Sequence, residues 1–329
     1  MPNYVELFRR FPSLKVGVVG DVMLDTYMWG HVERISPEAP VPVVSLDNKE
    51  YRIGGAGNVA LNLHSLGAQS FVLSVTGDDE DALRLLQLFG SQGINTAYCI
   101  RSRDRITTNK TRIISRNQQM MRLDSEITRD LNRSDEDSLV DAFKRFLKEV
   151  RPDMVVLEDY NKGVLTEGVI QRVIALCKEA GVLTAVDPKR KNFFAYKGVD
   201  IFKPNLKEVK EALNLITADA DKLQLQNIHY ELYRHLKHGI SFITLSEKGV
   251  FYQQGETAAL LPSHLRNIAD VSGAGDTVIA VAALVYAATR DVQQMAAIAN
   301  IAGGLVCEVV GTAAIDGREL LRETERLLG

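Results

Sequence analysis

Along the chain, short runs rich in β-branched residues alternate with longer segments in which apolar residues recur at helical spacing. This pattern predicts an α/β fold, a doubly wound and mostly parallel sheet with helices on both faces. Strands are expected at residues 15–20, 71–75, 153–157, 183–186, 200–202 and 241–245. Helices are expected between them, among others over 58–66, where Val59, Leu63 and Leu66 share one side, and over 166–180. Residues 278–288 are apolar almost throughout and read as a buried helix. Five strands run straight into polar groups: Asp21, Glu158-Asp159, Asp187-Pro188-Lys189, Lys203-Pro204-Asn205 and Ser246-Glu247. Ligands of open α/β sheets bind beyond the carboxyl ends of the strands, so these groups should line one crevice.

Two stretches break the alternation. Residues 40–46 with 50–53, and 98–100 with 105–115 and 119–123, are β-rich, lack helices between them, and carry Pro40 and Pro42 in positions that suit edge strands. They are expected to pair as a small separate sheet inserted over about 21–53 and 98–124, a lid that excludes water from the crevice. The competing arrangement is an edge extension of the main sheet. A hairpin is expected at 250–253 and 257–261 around Gln254-Gly255. Without repeats, linkers or low-complexity tracts, residues 1–329 read as one folding unit.

Composition narrows the function. The chain is 46% hydrophobic and 25% charged, ordinary for a globular enzyme, and its formal net charge of −3 offers no electrostatic footprint for nucleic acid or an anionic membrane. Cys99, Cys177 and Cys307 fit no metal or disulfide spacing and are expected as small buried apolar residues in a reducing, cytoplasmic setting. Residues 1–12 lack a signal-peptide core, and no apolar run is long enough to span a bilayer. His229, His235 and His238 have no partners at metal spacing and are expected to be solvated.

The chemistry concentrates in two glycine-bearing runs. In Asp270-Val271-Ser272-Gly273-Ala274-Gly275-Asp276-Thr277, the glycines let backbone N–H groups approach an anion at the positive end of the following helix. A carboxylate is a poor phosphate ligand, so Asp276 is better suited to taking a proton from an attacking hydroxyl. Its alternative role is an ordinary helix cap. The other run is Gly54-Gly55-Ala56-Gly57-Asn58-Val59-Ala60. It is not a dinucleotide fingerprint, because no complete GxGxxG follows a first strand.

These two runs, with Asn205-Leu206-Lys207-Glu208 between them, resemble the ribokinase-like (PfkB) carbohydrate kinase family over essentially the whole chain. Residues 20–25, 35–44 and 118–124 are further similar to the family members that phosphorylate D-glycero-β-D-manno-heptose 7-phosphate at its anomeric oxygen, a step toward ADP-heptose and lipopolysaccharide. The resemblance implies ATP and Mg²⁺, leaves room for a monovalent cation, and implies a homodimer joined through the lid. It also implies a separate nucleotidyltransferase and a phosphatase in the same pathway. Asp276 would be the base, with Gly273, Ala274 and Gly275 supplying amides for the transferring phosphate. Asp25, Gly54, Gly55 and Asn58 would hold the sugar, and Lys162, Lys189 and Arg122 its phosphate. Asn205 and Glu208 would organise Mg²⁺ through water, although Asn followed by Glu three residues later is also a common helix cap. Ser246 and Gly249 would touch ATP, and Asn300, Gly303 and Gly311 would wall the adenine unless tight packing accounts for them. The sequence departs from the heptose-kinase pattern at Asn161 and Arg190, where glycine is usual, and at Ser272, usually threonine. Kinases of other sugars, and a sugar-sensing protein without turnover, are the competing readings.

Overall fold

A computed structural model describes residues 3–116, 118–215, 221–264, 268–309 and 311–329. Met1 and Pro2 of the N-terminal stretch, and Asn117 within the second lid span, lie outside the described residues. From the N-terminus, α1 (Tyr4–Arg10) leads into β1 (Lys15–Gly20), and the chain then leaves as a long hairpin, β2 (Val22–Ile35) and β3 (Pro42–Gly55). It returns through α2 (Ala56–Ser65) to β4 (Gln69–Leu73), followed by β5 (Val75–Gly77), α3 (Glu80–Ser91) and β6 (Ile100–Ser102). A second hairpin, β7 (Asn109–Ser115) and β8 (Gln118–Ser125), precedes α4 (Arg133–Val150), β9 (Met154–Glu158), α5 (Glu167–Ala180), β10 (Leu183–Asp187) and β11 (Ile201–Phe202). Then come α6 (Leu206–Leu213), α7 (Lys222–Leu236), β12 (Ile240–Thr244), β13 (Val250–Gln254) and β14 (Thr257–Leu261). Three helices follow: α8 (Ala274–Thr289), α9 (Val292–Val306) and α10 (Gly317–Leu328).

The main sheet has the order β14-β13-β12-β11-β10-β9-β1-β4, parallel from β12 to β4, with β13 and β14 antiparallel at one edge. Every residue of β9 and β10 is buried, as expected for strands covered on both faces. Alternate side chains feed two cores: Val16, Val18, Met154 and Val156 pack with α2, α8 and α9, while Val19, Val155 and Leu157 pack with α4, α5 and α7. Local chemistry sets the helix ends. Thr166 Oγ1 accepts the Val169 N–H at the start of α5, and Gly181, left-handed, closes it.

The hairpins β2–β3 and β7–β8 form a separate four-stranded sheet in the order β3-β2-β7-β8, with β2 and β7 parallel. Three details differ from the sequence expectation. β3 is one continuous strand rather than two pieces, and β2, whose residues show no clean polar–apolar alternation, is a 14-residue strand that pattern alone did not reveal. Residues near 98–100 do not join the small sheet: Ile100–Ser102 pairs with Val75–Gly77 instead. The histidines divide. His235 is exposed, but His229 and His238 are buried, bracketing Ser241 Oγ at 2.8 and 2.6 Å, because one side of α7 and the turn after it face inward over β12. Cys177 is buried, whereas Cys99 and Cys307 are only partly so. Among the described residues no helix is long and apolar enough to cross a membrane.

Candidate active site

The crevice begins at β1. Asp21, buried just past that strand, accepts the backbone N–H groups of Tyr160, Lys162 and Val164 at 2.9–3.0 Å and so pins the loop after β9. In that loop Asn161 adopts φ +54°, which explains how it stands where glycine is usual: asparagine is the next residue to tolerate the left-handed region. Arg190 is exposed in a one-turn 3₁₀ helix.

Pinning the loop aims Tyr160 at Asp276. The Tyr160 hydroxyl donates to Asp276 Oδ1 at 2.6 Å, and Asn58 Nδ2 donates to Oδ2 at 2.7 Å. Asp276 sits in the first turn of α8, whose N-cap is Gly273 at φ +80°, and it makes no capping bond, so the helix-cap alternative does not hold. Burial pushes its carboxyl up to about 6 against the pull of these two donors. A carboxylate has roughly four lone-pair directions, so a substrate hydroxyl can still reach it.

Cations stand on the other side of the helix tip. Lys203, 2% exposed, binds Asp187 Oδ2 at 2.7 Å, and a Cβ built on Gly275 would lie 3.9 Å from its Nζ. That is ordinary van der Waals contact, so the ammonium lies directly beside the first turn of α8. Lys189 binds Glu208 Oε1 at 2.8 Å and Asp187 Oδ1 at 3.4 Å, and its charge lies 5.7 Å from the Tyr160 ring centroid. Asn205 and Glu208 do form a reciprocal capping box, at 2.8 Å in both directions, which leaves one Glu208 oxygen for Lys189. Glu158, fully buried, has no hydrogen-bond partner on either oxygen. Burial first, then Asp187 and Asp276, raise its pKa well above the usual carboxylate range.

On the small sheet, Asp25 is 3% exposed and accepts from Arg112 Nη1 at 2.6 Å. A Cβ on Gly54 would fall 2.3 Å from Asp25 Oδ2, and Gly55, at φ +60°, lies against the Asp21 carbonyl. The glycine pair thus lets β3 run beside Asp25 and turn into α2, which delivers Asn58 to Asp276.

The remaining sequence candidates scatter. Lys162 pairs with Glu126 at 2.7 Å and Arg122 with Asp124 at 2.8 Å, both away from the helix tip. Ser246 is exposed beyond β12. A Cβ on Gly249 would meet the Leu261 carbonyl at 2.1 Å, and one on Gly303 would meet Val278 of α8 at 2.7 Å, so packing accounts for both glycines. Asn300 donates to the Pro262 carbonyl at 2.8 Å, and the Gly311 N–H to Asp270. Sequence reasoning placed Glu158 and Lys203 at the crevice without a specific role, and it passed over Tyr160 and Arg112. Three of them follow or end strands named above, and that position is the signal that could have found them.

A buried carboxyl at a helix tip, amides and an ammonium beside it, and a second carboxylate on an adjoining small sheet are an arrangement suited to a kinase of small hydroxylated molecules. Residues 13–316 match the model of the pfkB family of carbohydrate kinases, and the chain belongs to that family. It is 38% identical over 97% of its length to the bifunctional protein HldE of Syntrophotalea carbinolica, and 39% identical over 94% to that of Desulfatibacillum aliphaticivorans. It spans 64% and 63% of those relatives. The fold is similar to phosphofructokinase-2 from Escherichia coli in complex with potassium (TM-score 0.78, 16% identity, covering 95% of this chain and 99% of that one). It is also similar to Arabidopsis thaliana ribokinase complexed with ribose and ATP (TM-score 0.71, 17% identity, 94% and 99%).

Proposed function

We propose that the protein phosphorylates the anomeric hydroxyl of D-glycero-β-D-manno-heptose 7-phosphate from ATP. The observation that supports it most is the Asp276 carboxylate, buried at the amide end of α8 and linked through Asn58 to the strand-turn-helix unit that also shapes the Asp25 site. In this reading Asp25 accepts hydrogen bonds from sugar hydroxyls, and Asp276 takes the proton of the attacking one. The Gly273–Gly275 amides and Lys203 then stabilise charge on the transferring phosphoryl group. The donor set also fits Mg²⁺ held mainly through water. Glu208 and Asp187 are oxygen ligands with lysines already on them, and no group of three or more His, Cys, Asp or Glu among the described residues could cage a metal. When bound, the ion would neutralise phosphate charge. Lys189, bonded to Glu208, is reassigned in this reading from the sugar phosphate to the nucleotide side.

The small sheet is read as a lid and as the seam of a homodimer, since Ile35, Leu46, Met121 and Leu123 on it are exposed apolar residues. A separate nucleotidyltransferase and a phosphatase would complete the route. The test is an ADP-release assay across heptose, hexose and pentose phosphates. Turnover highest with the heptose 7-phosphate is expected, and a clear preference for another sugar phosphate would replace the substrate while leaving the kinase chemistry in place.

A further inference from the structure

One cation on the small sheet is only partly matched. Strand register sets two charged rows on the face that presents Asp25 to the crevice: Arg52, Asp25 and Lys110 in the first, and Glu50, Tyr27 and Arg112 in the next. Arg112 is committed to Asp25 at 2.6 Å, and Lys110 stands 3.8 Å from Asp124. Arg52 gives only its Nε to a carboxylate, Glu50 Oε1 at 2.6 Å. Its two terminal nitrogens have no hydrogen-bond partner among the described residues. The guanidinium lies 4.7 Å from the centroid of the Tyr27 ring, a second contact that holds it in place.

From there Arg52 reaches off the sheet to the loop after α9. A Cβ built on Gly311 would fall 2.5 Å from Arg52 Nη1. Gly311 in turn donates its N–H to Asp270 Oδ2 at 2.9 Å, and Asp270 Oδ1 accepts the Ser272 N–H at 2.9 Å. The next residue, Thr312, packs against Gly273, the N-cap of α8: its Cγ2 is 3.3 Å from where a Cβ on that glycine would lie. The Thr312 hydroxyl is buried and has no hydrogen-bond partner among the described residues. Unpaired donors are thus gathered where the Asp25 row meets the start of the glycine run.

We propose that Arg52 is a catalytic residue whose terminal nitrogens hold the oxygens of the phosphoryl group while it passes from ATP to the acceptor hydroxyl. This deepens the proposed function and rests on it. A bond forms between the acceptor oxygen and the γ-phosphorus, and the bond from that phosphorus to the bridging oxygen breaks. The electron pair of the broken bond leaves on ADP, and the hydroxyl proton goes to Asp276. Lys203 stands beside Gly275 and Arg52 beside the loop that packs on Gly273, so the transferring group meets a cation near each end of the run. A planar guanidinium with two parallel donors suits two phosphoryl oxygens, and keeping Nε on Glu50 aims the fork without using it up.

The test combines steady-state kinetics on the purified protein, with ATP and the heptose 7-phosphate, and binding of ADP with aluminium fluoride, which mimics the transferring group. Arg52→Met should lower kcat at least about 100-fold, with both KM values within about fivefold, the pattern of an interaction made only in the transition state. Arg52→Lys should recover part of the loss. In the wild type with the sugar phosphate present, aluminium fluoride should tighten ADP binding, and Arg52→Met should lose at least about tenfold of that tightening while binding ADP alone as before. Glu50→Gln, which breaks the same ion pair from its other end, should keep kcat within about fivefold. If the pair only braces the sheet, Glu50→Gln and Arg52→Met will instead lose activity alike, and the aluminium fluoride effect will stay. Either that result or an undiminished kcat in Arg52→Met would overturn the role and spare the proposed function. A wild type that turns over no sugar phosphate would remove both. Matching thermal melts of the variants exclude misfolding as the cause.

Discussion

Asp276 and Tyr160 are separated by 116 residues in the chain, yet the Tyr160 hydroxyl donates to the Asp276 carboxyl at 2.6 Å, and under the proposed function that bond tunes the base. Burial holds the Asp276 carboxyl near 6, so activity should fall as pH drops through about 6 and the base becomes protonated. Tyr160→Phe removes a donor to the ionised form, which raises that pKa further. The acid limb of the kcat/KM profile should move to higher pH, and an unmoved limb would remove Tyr160 from the base's environment. Asp276→Asn should lower kcat at least ~100-fold with ATP binding kept. The same variant carries a stability signature. A carboxyl whose folded pKa is raised contributes stability below its unfolded value near 3.8 and loses it as pH rises through about 6. Asp276→Asn should therefore melt higher than wild type above pH 6, with the gap closing toward pH 4. The Tyr160 hydroxyl can turn from donor to acceptor to suit the amide.

At the scale of elements, the turn from β3 into α2 connects the surroundings of Asp25 to Asp276. Its glycines were legible as a motif, but the reason they must be glycine is the close approach to Asp25 and to the Asp21 carbonyl, which only the folded hairpin creates. Gly54→Ala should raise KM for the sugar at least about tenfold by displacing Asp25, while KM for ATP stays within about twofold. Equal changes in both would show that the whole crevice has shifted. The strand ends Asp21, Glu158, Asp187 and Lys203 were readable as crevice-lining because a parallel sheet gathers carboxyl ends. Their division of labour was not. Asp21 pins a loop through backbone amides, Glu158 has its pKa raised by burial and by Asp187 and Asp276, and Asp187 serves two lysines, and each role depends on neighbours distant in sequence. The burial of His229 and His238 was hidden for the same reason: helical period shows which positions share a side, but not that the sheet beneath offers Ser241 as a partner. Burial, then His229, push His238 down to about 3. A base depressed in the folded state costs stability as pH falls from 6.5 toward 3. Between pH 6.5 and 5 that cost is about 2 kcal/mol by linkage. His238→Gln should flatten the acid side of a denaturant-stability profile relative to wild type by that amount, and parallel profiles would mean that the site is hydrated or opens.

For the whole molecule, the small sheet is the part whose placement matters most and whose surroundings matter beyond one chain. One face carries Asp25 and the charged rows, and the opposite face leaves Met121 and Leu123 exposed on the outer strand β8. Sedimentation at micromolar concentration should show a dimer, and Leu123→Asp should shift it to monomer. A wild-type monomer would assign those residues to some other contact.

The sequence by itself determined the layered α/β plan and the glycine turns, because strand and helix periods and backbone-permissive residues are local properties of the chain. Only the tertiary structure decided that β2 is a long strand, that Tyr160 and Asn58 hold the Asp276 carboxyl, that Lys203 lies beside the helix tip, and that Lys110 shares a carboxylate with Arg122. Those facts depend on which distant groups are brought together and stripped of water, and such energies appear only when the chain has closed on itself.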